Sequence, residues 1–127
     1  MAIFGIGTDV VDIRRIAALH ARHPERFPRR ILGAAELVEF AAAPQQAAFL
    51  AKRFASKEAA SKALGLGFRR GLRFTDFEVG HDAHGKPLLT LHGRAAEVAA
   101  SLGVATLHLS IADETHTAVA FVIAETE

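Results

Sequence analysis

Residues 49–65, FLAKRFASKEAASKALG, decide how this chain reads. The alanine content and the absence of any internal proline predict one uninterrupted helix. At about 3.6 residues per turn, Phe54, Glu58, Ser61, Lys62 and Gly65 share one side of it. An acid, a hydroxyl and an ammonium at the end of an apolar stripe suit a site that holds a metal and a phosphate. The same spacing also suits a plain Glu58–Lys62 ion pair on a helix surface, worth about 0.2–0.5 kcal/mol.

Working outward, Pro44 is well placed to open this helix, and Gly65 to terminate it. On its N-terminal side, Ala2–Asp9 reads as a buried strand with Asp9 at its end. Its glycines, Gly5 and Gly7, admit a close approach by another backbone or a ligand. Apolar spacing predicts helices over 12–22, stopped by Pro24, and over 33–42. Beyond Gly65 the texture turns to β. Leu72–Gly80 and Pro87–Leu91 read as strands joined by the turn HDAHGK, and 94–102 as a helix ending at Gly103. Thr106–Ile111 alternates strictly, with His108 on its polar side, so it predicts a half-buried strand. Ala118–Ile123, apolar throughout, predicts a buried partner strand. The resulting order β-α-α-α-β-β-α-β-β is that of an α+β domain: a mainly antiparallel sheet packed with a long central helix.

At 127 residues the chain is expected to form a single domain over 1–127, near the size where oligomerisation helps. It contains no cysteine, which removes disulfides, thiolate metal sites and cysteine nucleophiles. No apolar run reaches the roughly 18 residues of a membrane span and no signal segment is visible, so a cytoplasmic location is expected, with no membrane partner.

The net charge of +1 conceals an asymmetry. Residues 1–73 carry 13 Lys/Arg against 6 Asp/Glu, whereas 74–127 carry 2 against 8. Arg14, Arg15, Arg22, Arg26, Arg29 and Arg30 crowd one short segment, and Arg15, Leu19 and Arg22 form a cationic helix stripe with an apolar centre. Such a patch attracts nucleic acid, an anionic surface or an acidic protein. Nucleic acid is disfavoured by Leu19 within the stripe and by the lack of tyrosine and tryptophan for stacking. An enzyme acting on some other nucleotide pyrophosphate would use Asp9, Glu58 and Lys62 without needing the arginines.

Four segments follow one another in order: GIGTDVVDIRRI (5–16), FLAKRFASKEAASKALG (49–65), FEV…D..GKP (77–87) and LHLSIADETHTAVAFVI (107–123). Together they resemble the bacterial holo-[acyl-carrier-protein] synthases, the small 4′-phosphopantetheinyl transferases. The resemblance spans essentially the whole chain and favours a functional Glu58 over a surface ion pair. It implies the 4′-phosphopantetheinyl transferase fold. It also implies transfer of 4′-phosphopantetheine from coenzyme A to a serine of apo acyl carrier protein, with release of adenosine 3′,5′-bisphosphate, in fatty acid biosynthesis. Mg2+ as cofactor and a homotrimer with sites between subunits come with it. By the same resemblance Asp9 and Glu58 are the metal acids, and these two with Lys62 are the catalytic set. Ser61, Lys62 and Gly65 meet the pyrophosphate, and Arg53, Lys86, Pro87 and His108 fall in the adenosine-contacting segments. Arg15, Leu19, Arg22, Arg26 and Arg30 fall where the acidic carrier protein docks. Many members have SISH where this chain has SIAD (110–113), so no histidine role transfers to Asp113. Glu58 and a magnesium-bound hydroxide both remain candidates for the serine proton acceptor.

Overall fold

The computed structural model describes residues 1–127. Strand β1 (Ile3–Asp12) leads into α1 (Ile13–Arg22), α2 (Arg26–Ile31), α3 (Ala34–Ala42) and the long α4 (Gln46–Ala63). A 3₁₀ turn (Phe74–Asp76) precedes β2 (Phe77–His81) and β3 (Pro87–Leu91), and α5 (Gly93–Ser101) precedes β4 (Val104–Asp113) and β5 (Thr117–Thr126). Two antiparallel sheets result, one ordered β1-β5-β4 and the other β2-β3. The α+β architecture is as expected.

Helix α4 lies across the inner face of the three-stranded sheet, and residue size explains how closely. Ala55, Ala59 and Ala63 on the helix and Ala118, Ala120 and Ala124 on β5 are all sealed from solvent. On β1 the facing positions are Gly5 and Gly7. A Cβ on Gly7 would stand 2.0 Å from the Ala59 carbonyl oxygen, and one on Gly5 2.2 Å from that of Ala63. Backbone against backbone is what these glycines permit, and any side chain there would force β1 off the helix. The close fit brings the middle of β1 up to the C-terminal half of α4.

Four details differ from the sequence expectations. Strand β1 continues three residues past Asp9, because Val10, Val11 and Asp12 still pair with Val119, Ala118 and Thr117. Asp9 therefore sits within a strand, and Asp12 caps α1 by accepting from the Arg14 amide at 2.8 Å. The chain also recoils into α2 only three residues after α1. Pro28 is its third residue, where a missing N–H costs nothing because first-turn amides have no intrahelical partner.

Third, the strand expected from Leu72 begins at Phe77. Arg70 and Gly71 both take positive φ, and Asp76 accepts from the Arg73 amide, so the segment turns before it extends. Last, Ala118–Ile123 is not buried throughout. Val119 is 36% and Phe121 40% exposed, because α4 covers only one face of the sheet. On the other face, cross-strand rows run Ile6–Ile123–His108, Thr8–Phe121–Ser110 and Val10–Val119–Ala112. Ile6 and Val10 are 60% and 66% exposed, so an apolar sheet face lies open.

Candidate active site

Asp9 projects from the inner face of β1 toward the last turns of α4. Its carboxylate accepts from the Lys62 ammonium at 3.1 Å, and the same ammonium donates to the Thr8 carbonyl at 3.1 Å. Glu58 lies one helical turn before Lys62 and is half-buried. Burial pushes its carboxyl above the usual range and the neighbouring Asp9 pushes it further, while Lys62 and Arg15 pull it back. The two acids repel one another. Lys62 offsets part of that repulsion, and a cation bound to both would remove it.

Glu58 also opens onto a groove of about 400 Å³ whose walls include Leu19, Phe27 and Phe54. Arg26 and Arg30 line the same groove, so α2 contributes guanidiniums to its walls. From α1, the Arg15 guanidinium sits 5.9 Å from the Phe54 ring centroid, within cation–π range. Arg22 is exposed on the same helix. Cationic stripe, apolar centre and Glu58 thus share one side of the molecule.

The other expected residues are distributed differently. Ser61 is fully buried, its hydroxyl donating to the Glu58 carbonyl at 2.7 Å, so it faces the core rather than the open side of the helix. Gly65 takes φ +82° with open space around it and ends the helix. Arg53 and Pro87 line a separate cavity of about 330 Å³ with Lys52, His81, Glu39 and Asp113. Lys86 is exposed on the adjoining turn, its amide donating to Asp82 at 2.9 Å. His108 projects from the opposite face of the sheet, where Nε2 lies 3.1 Å from Glu125, so one chain does not bring it to Glu58.

Two features are not visible in the sequence. Asp113, to which the resemblance gives no role, stands 4.0 Å from Lys52 in the Arg53 cavity. Beneath that cavity lies a buried ionic cluster around Glu36. Its carboxylate accepts from Lys57 at 2.7 Å, Arg53 at 3.2 Å, the Gly33 amide at 3.1 Å and the Val79 amide at 3.2 Å. Lys57 also donates to the Ile31 carbonyl at 2.5 Å, and burial pushes its ammonium below the usual lysine range against the pull of Glu36. The cluster joins the end of α2, the start of α3, helix α4 and strand β2. The i, i+4 spacing of Arg53 and Lys57 is plain in the sequence, but their partner lies 17 and 21 residues away, beyond any local pattern.

A family model described as the 4′-phosphopantetheinyl transferase superfamily matches residues 5–121. The chain is 57% identical over 125 residues to a holo-[acyl-carrier-protein] synthase of Edwardsiella ictaluri, covering 98% of this chain and 99% of that protein. Among solved structures, holo-[acyl-carrier-protein] synthase from Neisseria meningitidis is similar with a TM-score of 0.93 at 42% identity, covering 98% of this chain and 99% of that one. The Bacillus anthracis holo-(acyl-carrier-protein) synthase, solved in complex with CoA (3′,5′-ADP), has a TM-score of 0.82 at 33% identity over 100% of both chains.

Proposed function

This chain belongs to the 4′-phosphopantetheinyl transferase superfamily, and from that premise we propose how its residues carry out the family's chemistry. It transfers the 4′-phosphopantetheine group from coenzyme A to a serine of an apo acyl carrier protein and releases adenosine 3′,5′-bisphosphate. The observation that carries the assignment of residues is the pairing of Asp9, Glu58 and Lys62 beside a groove rich in arginine.

The donor set suits magnesium: two hard carboxylates side by side, with the rest of the coordination left to water and phosphate oxygens. Asp9 and Glu58 would hold Mg2+, which supplies charge neutralisation on the pyrophosphate when bound. Lys62 neutralises a further pyrophosphate oxygen, with the Gly65 turn at the end of the same helix. Glu58, the acid that opens onto the groove, accepts the proton as the serine oxygen attacks the phosphorus bearing pantetheine. That phosphorus gains a bond to the serine and loses its bond to the bridging oxygen, which leaves on adenosine 3′,5′-bisphosphate. The cavity of Arg53 and Pro87, flanked by Lys86, receives the adenosine end. Arg15, Leu19, Arg22, Arg26 and Arg30 receive the acidic carrier protein. In this reading residues 1–127 act as one domain in the cytoplasm and serve fatty acid biosynthesis. No helix is long and apolar enough to cross a membrane. The direct check is chromatographic: bisphosphate should be released only when coenzyme A, magnesium and apo carrier protein are all present. Release without carrier protein would instead support pyrophosphate hydrolysis.

A homotrimer with sites between subunits follows from the same reading. The open sheet face of Ile6, Val10, Val119 and Phe121 supports burial against another copy, since exposed apolar patches of this kind mark interfaces. His108 shares that face and would then reach a neighbour's nucleotide. Sedimentation should give a species three times the 13.6 kDa of the chain. An active monomer would rule this assembly out.

A further inference from the structure

A second cationic pocket lies next to the groove, and of its arginines only Arg30 has a part in the mechanism above. It measures about 390 Å³ and is lined by Arg29, Arg30 and Arg73 over a floor of Phe68, Leu72 and Phe74. Phe74 is the wall between the two depressions. It stacks on Phe54 at 5.4 Å on the groove side and on Phe68 at 4.0 Å on the pocket side. Arg30 borders both. The pocket therefore adjoins the groove that Glu58 lines, across Phe74 and Arg30, yet it shares no residue with the Arg53–Pro87 cavity.

Its arginines are free. Within the chain, the arginines that reach a carboxylate are Arg14, Arg53 and Arg94. Every arginine of α2 and of the 69–73 turn lacks such a partner and is exposed. The turn is nonetheless held in place. The Arg70 carbonyl accepts from Arg94 Nε at 3.0 Å, the Arg73 amide donates to Asp76 at 3.2 Å, and Arg69 Nε donates to the Leu66 carbonyl at 2.6 Å. Exposed guanidiniums around an apolar pocket, with no internal counter-charge, suit bidentate capture of carboxylates from outside.

We propose that Arg29 and Arg73 form a second docking point for the acidic carrier protein, so that its footprint runs from α1 across α2 to the 69–73 turn. The proposal rests on the transferase reading. It adds that residues more than forty positions apart in the chain grip one acidic surface at two points, and so fix its orientation over Glu58.

Charge reversal tests this. In R29E/R73E the KM for apo carrier protein should rise on the order of ten-fold and the salt dependence of KM should weaken. The KM for coenzyme A, kcat at saturating carrier protein and the melting temperature should stay at wild-type values. A second measurement exploits the absence of cysteine. In R73C the lone thiol should be alkylated several-fold more slowly when apo carrier protein is present. An unchanged carrier-protein KM, or unchanged alkylation, would overturn the proposal, and so would a raised coenzyme A KM. A duplex oligonucleotide that shields the introduced thiol as well as the carrier protein does would overturn it too, by assigning the pocket to a phosphate backbone. Failure of the wild type to modify carrier protein would instead sink the transferase reading itself.

Discussion

Glu58→Gln is expected to lower transfer by at least about a hundred-fold while leaving the fold intact, and Asp9→Asn to do the same. Each substitution keeps size and some hydrogen-bonding capacity but removes a charge from the pair assigned to magnesium. Stability should move the other way at position 58. Burial and Asp9 already disfavour the Glu58 carboxylate, so a neutral side chain should hold or raise the melting temperature. For Asp9→Asn the ion pair to Lys62 is lost, but the lysine side chain is 50% exposed, and such pairs contribute about 0–1 kcal/mol. Turnover at saturating magnesium, measured beside a thermal melt, separates the outcomes. Near-normal turnover in both variants would remove these acids from the chemistry.

Glu36→Ala should have the largest effect on stability, a loss of about 3–5 kcal/mol. The Lys57 side chain is 0% and that of Arg53 5% exposed, so removing Glu36 strands the Lys57 ammonium in the core and leaves Arg53 with only the half-exposed Glu39 at 3.5 Å. It also leaves the Gly33 and Val79 amides without their acceptor. Adding Lys57→Met should recover part of the loss, since one uncompensated charge then disappears. Urea titrations at one fixed protein concentration measure both, which keeps any subunit association constant across the comparison. A loss below about 1 kcal/mol for the single variant would mean that water reaches the cluster.

How legible the molecule is depends on how local each signal is. Helix α4 announces itself through composition and spacing, and β4 through strict alternation. The order of elements follows, except for α2, where Pro24 and Pro28 mask a helix that tolerates proline in its first turn. Gly5 and Gly7 signal a close approach, though not that the backbone of α4 is the thing approaching. Asp9 and Lys62 lie 53 residues apart, so their contact can come only from the fold or from the family resemblance. Glu36 reads as an ordinary helix residue because nothing in its own segment shows that it is buried. The arginines of α1 and α2 stand out by density, whereas Arg73 joins them only once the 3₁₀ turn folds the chain back.

The most direct measurement is the intact mass of apo acyl carrier protein after incubation with this protein, coenzyme A and magnesium. The predicted result is a gain of one 4′-phosphopantetheine group, located on a single serine, from the wild type and not from Glu58→Gln. An unmodified carrier protein with the folded wild type, or full modification by Glu58→Gln, would contradict the assignment.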